Sequence, residues 1–437
     1  MHLRRIGARF NRVGVAQAGL TETDIEAGVP PVAGGTFAPF RYSTFRAIWI
    51  ANLFSNLGAT IQSVAAAWLM TDLTDSHQLI GLVQSSATVP IMLFGMFAGA
   101  IADNFDRRRV MLAAQLGMLL VSALLAAMTF ADMITPWLLL GFTMTVGIGT
   151  ALNSPAWQAS VRQQVGLRDL PQAIALNTVS FNLARSVGPA IGGLLISLWS
   201  VSLAFAVNAI SYTVMIVVLA RWRPETVPVD RKPILSAIAE GVRFCAGSSA
   251  IRRVLLRGLV MGFGIAGYHA LVPSVVRDHL HGNELDFGLM LGVFGIGSII
   301  AAFFISPARR KWGNETVVST GAMAFVVTLV VTAQVHSVAA ALPVSFLAGM
   351  AWVAVLTSIN VAMQMRSPDR ILGRCLSTYQ AVTFGAMSIG SWAWGVVADW
   401  RGLPFALHMA AGFLVAATVA TRLFAPMPGP DEGEIDD

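Results

Sequence analysis

Residues 99–112 read GAIADNFDRRRVML. A glycine-studded apolar run ends at Asp103, passes through Asp106, Arg107, Arg108 and Arg109, and turns apolar again at once. A charge in the hydrocarbon core costs about 2.5–3.5 kcal/mol on insertion scales. Two acids and three arginines between two apolar segments therefore mark a short polar loop joining two membrane spans. Three arginines in one short loop place it on the side where positive charge collects.

The composition agrees. Of 437 residues, 55% are hydrophobic and 12% charged, and the mean hydropathy is +0.68. A soluble domain carries about twice that charge, so the chain is a polytopic membrane protein. The net charge of +6 is carried almost wholly by arginine, with Lys232 and Lys311 the only lysines. These bases lie in loops between apolar runs and not on one face of a soluble domain, which argues against nucleic acid as a partner. Cys245 and Cys375 both fall in segments placed on the cytoplasmic side, with no disulfide framework and no metal spacing. The chain carries no phosphate loop, hydrolase elbow or membrane-protease pair. It reads as a non-enzyme without a cofactor.

Outward from the opening loop, twelve apolar runs near the ~20 residues of a membrane helix fall at 44–70, 78–102, 110–131, 136–160, 172–197, 202–221, 254–277, 286–305, 316–335, 340–365, 374–398 and 404–424. Residues 1–43 form a polar N-terminal tail that reads as a disordered basic segment; Leu3, Ile6, Phe10 and Val13 recur at helical spacing among arginines, which leaves a short interfacial helix as the alternative. Residues 44–221 make a first six-helix bundle, 222–253 a cytoplasmic linker, 254–424 a second bundle and 425–437 an acidic tail. Within the linker Ile234, Ile238, Val242 and Cys245 share one face, which suits a helix on the inner membrane surface.

Arg277 and Arg401 lie in one set of loops and Arg185 within a run; the other bases lie in the tails, the alternate loops or their helix ends. Both termini are then cytoplasmic. A faint repeat pairs Gly95 with Gly295, Arg109 with Arg309, Gly149 with Gly349, Asp169 with Asp369 and Thr178 with Thr378. Two parallel six-helix repeats around a midplane site describe a secondary transporter. The expected fold is all-α, with twelve transmembrane helices in two pseudo-symmetric bundles.

The opening stretch, Gly99 through Asp103 to Arg107, Arg108 and Arg109, resembles the signature of the major facilitator superfamily, with Asn104 where a base is usual and Asp106 where glycine is frequent. The resemblance implies that this loop, with Gly95 and Gly99 a turn apart, latches the halves on the cytoplasmic side. Asp103 would then meet the start of the eleventh helix near Gly373 and Arg374. The second copy, ISPARRKWG, keeps Arg309, Arg310 and Lys311 without the acid, so the latch is one-sided. In the fifth run ARSVGPAIGG, residues 184–193, resembles the superfamily's antiporter motif, with Ala184 in the first glycine's place. Gly188-Pro189 kinks that helix, Gly192 and Gly193 permit close packing, and the resemblance implies an exporter. AWLMTDLTDSHQLIGLVQ, ALNSPAWQASVRQQV and CLSTYQAVTFGAMSIGS together resemble the enterobactin-exporter-like branch, transmembrane secretion effectors.

Polar residues inside apolar helices face a cavity or one another. Asn52, Asn56 and Ser63 on the first run, Ser154 and Gln158 on the fourth, and Phe181, Asn182 and Arg185 on the fifth are candidate cavity lining. So are Asn360 and Gln364 on the tenth run and Gln380, Phe384 and Met387 on the eleventh. Arg185 stands deepest, with no acid at comparable depth; either it donates to carbonyls and to Asn182 or Asn177, or it binds anionic cargo. No membrane carboxylate offers a proton relay, which leaves His269 and His408 as buried titratable candidates. His279, His281, Glu284 and Asp286 share an outer loop that reads as solvated, with no metal assigned. The expectation is a monomeric exporter in a bacterial inner membrane. It moves a small amphipathic molecule, siderophore-like or drug-like, in exchange for protons. An importer, a uniporter or a non-transporting sensor on this fold are the competing readings.

Overall fold

The computed structural model describes residues 35–224, 234–368 and 371–427. The basic tail, the start of the linker, Asp369 and most of the acidic tail lie outside the described residues, as does the side chain of Asp103.

A single 3-10 turn, Ala38–Arg41, leads into α1 (Ser43–Leu73), α2 (His77–Asn104), α3 (Arg107–Phe130), α4 (Pro136–Ser160), α5 (Leu170–Leu198) and α6 (Val201–Arg221). The linker supplies α7 (Ile234–Gly247). Then follow α8 (Ser249–Ser274), α9 (Glu284–Thr332), α10 (Val338–Gln364), α11 (Leu372–Arg401) and α12 (Leu403–Phe424). Ten of these helices are long and apolar enough to cross a membrane. α1, 31 residues long, is not among the ten; it carries Asn52, Asn56, Gln62 and Ser63 within its length.

Short polar side chains start the helices. Ser76, Asp106, Thr135, Ser200, Ser248, Asn283 and Ser337 each accept a backbone N–H of the first turn. Such caps satisfy donors that lipid cannot. Asn283 and Asp286 form a reciprocal capping box, so that acid serves the fold of its loop.

One boundary differs from the reading of the sequence. The eighth and ninth runs, expected to be separated by a basic loop, form α9, continuous but for Gly313 at φ 79° and ψ 160°. Glycine alone enters that region at no steric cost, so the chain turns there without a loop. Arg309, Arg310 and Lys311 accordingly lie on the helical turns just before the break.

Buried polar knots tie helices together. Gln62 Oε1 accepts from Ser122 Oγ at 2.8 Å and from Asn208 Nδ2 at 2.6 Å, joining α1, α3 and α6. On the other side Tyr268 Oη donates to Ser345 Oγ at 2.9 Å, joining α8 and α10. Close backbone approach does the rest: a Cβ added to Gly297 would lie 2.1 Å from Phe346 O, and one added to Gly321 would lie 2.9 Å from Val355 Cγ1's partner methyl, Cγ2. Both limbs of α9 therefore pack along α10.

The linker helix carries Ile238, Val242 and Cys245 at helical spacing. Cys245 is buried while Val242 is exposed. A Cβ on Gly241 would come within 2.7 Å of Arg374 Cβ, and Glu240 pairs with Arg374. α7 is thus docked on the start of α11, and Cys245 of the one and Cys375 of the other are both buried free thiols.

Candidate functional site

The opening loop is a staple as well as a charge marker. Asp106 caps α3 through Arg109 N at 2.9 Å. Arg107 Nη1 donates to Ala159 O at 3.1 Å, and Arg108 donates to Leu219 O and Ala220 O, each at 2.8 Å. Guanidinium donors thus occupy the terminal carbonyls of α4 and α6, where cations are favoured. Arg109 stands at the mouth of a groove of about 910 Å³ bordered by α3 and α4, away from the helix pairs described next.

Two pairs of helices carry the geometry that bears on function. In the first, α5 meets α9: a Cβ on Gly193 would lie 2.5 Å from Glu284 O, one on Gly288 2.6 Å from Pro189 O, and one on Gly295 2.4 Å from Ser186 Cα. In the second, α2 meets α11: a Cβ on Gly81 would lie 2.5 Å from Ser391 O and one on Gly395 2.6 Å from His77 O. Ser85 Oγ donates to Ser388 O at 2.7 Å, and the Thr88 and Ser388 hydroxyls lie 2.6 Å apart. Only small residues allow backbones this close.

All these contacts fall toward the arginine-poor end. There Asp399, on the last turn of α11, accepts from His77 N at 2.6 Å, Gln78 N at 3.1 Å and Ser76 Oγ at 2.9 Å. A carboxylate from one helix thereby caps the positive N-terminus of another. Farther along the same faces, toward the arginine-rich end, the contacts stop. Gly95, Gly99 and Gly373 have no atom within 4 Å of an added Cβ, and Val179 and Phe303 are 56% and 74% exposed. Gly95 and Gly99, expected to let another helix approach, face open space here. Arg374, expected beside Asp103, is paired with Glu240 of α7.

The antiporter-like motif faces two ways. A Cβ on Gly188 would lie 1.9 Å from Thr60 Oγ1 and one on Gly192 3.3 Å from Ile61 Cα, so these two pack on α1. Thr60 Oγ1 also donates to Ala184 O at 3.2 Å. Pro189 and Gly193 pack on α9 instead. The motif is a wedge between a neighbour in its own half of the chain and a helix of the other.

Of the candidate lining residues, Ser63, Ser154, Gln158, Phe181, Gln364 and Gln380 are exposed, and Asn56, Asn182, Arg185, Asn360 and Phe384 partly so. Gln364 Nε2 donates to Asn360 Oδ1 at 2.6 Å. Asn52 is 9% and Met387 1% exposed; Met387 packs toward Gly262 of α8 and is not at a cavity surface. Arg185 lies over the Trp352 ring at 5.1 Å, and Asn182 Nδ2 donates to Thr178 O at 2.9 Å instead of meeting it. His269 lies edge-on to Trp352 at 4.6 Å. His408, expected to be buried, is exposed on α12, its Nδ1 2.6 Å from Pro404 O.

A family model described as transmembrane secretion effector matches residues 34–435. The chain belongs to that family, within the major facilitator superfamily. The chain is 26% identical to the staphyloferrin A transporter of Staphylococcus aureus, over 59% of this chain and 65% of that one. It is 25% identical to the multidrug efflux pump Tap of Mycolicibacterium fortuitum, over 82% and 89%. The first match thus spans just under two thirds of the relative's length. Among solved structures, the nucleoside transporter NupG superposes with a TM-score of 0.73 at 11% identity, over 87% of this chain and 99% of that one. An inward-facing bacterial homologue of the lysosomal transporter Spinster superposes at 0.69 and 15% identity, over 89% and 98%. The chain is a multi-pass membrane protein of that family.

Sequence reasoning passed over Trp352, Asp399 and the Arg257–Glu315 pair. Trp352 looked like one more apolar residue of a membrane helix. Asp399 sat at a helix end where acids are unremarkable. Arg257 and Glu315 are 58 residues apart, and no local spacing links them. Arg257 is wholly buried, and its Nη2 lies 2.8 and 2.6 Å from the two Glu315 oxygens. Glu315 also accepts from Met427 N at 2.8 Å, which ties the end of the described chain to α8 and α9.

Proposed function

We propose that this chain exports a small amphipathic molecule across a bacterial cytoplasmic membrane by alternating access, in exchange for protons. In this reading α9 counts as two spans about Gly313, giving twelve spans in two six-helix bundles with both termini cytoplasmic, and the protein works as a monomer. One observation carries the reading: both inter-half helix pairs are in close backbone contact at the arginine-poor end, while toward the other end Gly95, Gly99 and Gly373 of the α2–α11 pair meet nothing within 4 Å and Val179 and Phe303 of the α5–α9 pair are exposed. With the arginine-rich end in the cytoplasm, the cavity opens inward, and rocking the halves would close that end while parting the contacts at the other. Efflux names among the relatives and the wedge at Gly188-Pro189 favour export over import. His269, partly accessible beside Arg185's stacking partner, is the proton-coupling group this reading favours.

The test is flux in proteoliposomes of known orientation with an imposed pH gradient, using fluorescent amphiphiles with pyrenebutyrate among them. Movement from the cytoplasmic face that stops when the gradient is collapsed is expected. Gradient-independent equilibration would make the chain a uniporter, and movement in the opposite direction an importer. No movement of any probe would favour a sensor.

A further inference from the structure

Arg257 shows how this chain treats an arginine that has only to be stable: it supplies a carboxylate, Glu315, within 2.8 Å. Arg185 is treated differently. It sits mid-helix in α5, partly accessible, and among the described residues no carboxylate comes within ion-pair distance and no acceptor takes a hydrogen bond from it. Asn182, one turn below, has turned its amide to Thr178 O. What Arg185 does have is an aromatic seat from the other half of the chain. Its guanidinium carbon is 5.1 Å from the Trp352 centroid, and Trp352 is braced by His269 at 4.6 Å and Phe294 at 6.2 Å.

A cation–π seat engages the face of a guanidinium and leaves its N–H edge free. That edge is a planar fork, and a fork matches the two oxygens of a carboxylate. An apolar platform lies within reach of the same site, because Phe181 is one turn away on α5 and 53% exposed. A mid-helix charge without a protein partner is costly, and a partner from outside the chain would satisfy that edge.

We propose that Arg185, seated on Trp352, reads a carboxylate on the cargo, and that the cargo class is small amphipathic carboxylic acids. This rests on the transporter reading above and gives it a substrate class. The carboxylate takes the guanidinium edge and the apolar body lies toward Phe181. His269 and Phe294 are positioning residues that hold the indole.

The full-length protein, purified in detergent, is titrated with pyrenebutyrate and with its primary amide, which has the same body and no charge. The wild type binds the acid more tightly than the amide. Arg185→Gln weakens the acid by about tenfold and leaves the amide unchanged. Arg185→Lys falls between, since the charge stays and the fork is lost. Trp352→Phe keeps the preference for the acid and Trp352→Leu reduces it, a difference that a merely space-filling indole would not give. Should Arg185→Gln fail to run as a monodisperse protein, the Lys and Leu variants carry the test, each with a reduced acid-to-amide ratio. Equal binding of acid and amide by the wild type overturns the proposal. So does an unchanged ratio in these variants, or an equal loss of both probes. Binding in detergent needs no transport, so the two readings fail separately. Flux without acid preference removes the carboxylate reader alone, and acid preference without flux removes the exporter alone.

Discussion

Replacing Asp399 by Asn removes a charge from the junction of α2 and α11 and leaves each helix otherwise intact. The carboxylate accepts at 2.6, 3.1 and 2.9 Å from His77 N, Gln78 N and Ser76 Oγ. An amide offers one acceptor oxygen, so it cannot reproduce the set. An exposed charge at a helix N-terminus is worth about 0.3–1 kcal/mol. A hydrogen bond to a charged group is worth about 1.5–3 kcal/mol when buried, and much less in this exposed setting. Together the loss is about 1–2 kcal/mol, which shifts a two-state ratio roughly fivefold to thirtyfold. The contact joins the two halves, so the loss falls on the balance between conformers and leaves thermal unfolding near the wild-type value. Spin labels at Met133 and His336, both exposed in loops at this end, report the separation by pulsed electron resonance. The Asn variant gains a population at longer distance. Identical distance distributions in the two proteins, or a shift to shorter distance, would refute the latch.

Three further outcomes follow from the same packing. Gly95→Leu or Gly99→Leu adds bulk where nothing lies within 4 Å, so stability holds while closure of the arginine-rich end is blocked; flux falls and the thermal transition does not. Gly188→Ala places a methyl 1.9 Å from Thr60 Oγ1 and costs about 1–3 kcal/mol of stability by overpacking, part of which Thr60→Ala restores, whereas Gly193→Ala weakens the α5–α9 contact and lengthens the Met133–His336 distance. Glu315→Gln leaves the Arg257 charge buried beside a neutral amide and costs about 3–5 kcal/mol, read as a lowered unfolding temperature with a freed C-terminal segment exposed to protease.

The helices were legible because lipid imposes one rule, apolar runs of spanning length between charged loops, and because Ser, Thr, Asp and Asn caps mark where they start. The break at Gly313 was not, since a basic cluster reads as a loop whether or not its residues stay helical. The small-residue stripes were visible as composition; their state of occupancy was not. Gly81 and Gly95 look alike in sequence, yet one touches Ser391 and the other faces open space. That difference is set by how α2 and α11 pack along their length, which composition does not encode. Arg185 stood out because charge in an apolar run is expensive. Its seat on Trp352 depends on the packing of α5 against the other half, more than 160 residues away in a chain of 437. His408 misled because a histidine in an apolar run carries no mark of which face it takes, and α12 turns it outward.

The central claim is that the two ends close in alternation, and paired distances in one preparation test it most directly. One label pair, Met133 and His336, spans the arginine-poor end; the other, Arg162 and Arg310, spans the arginine-rich end, all four lying outside the stripes. The account predicts opposite changes when the conformer is shifted by Asp399→Asn: the first distance lengthens as the second shortens. Both distances lengthening together, or the first changing while the second stays fixed, would contradict it.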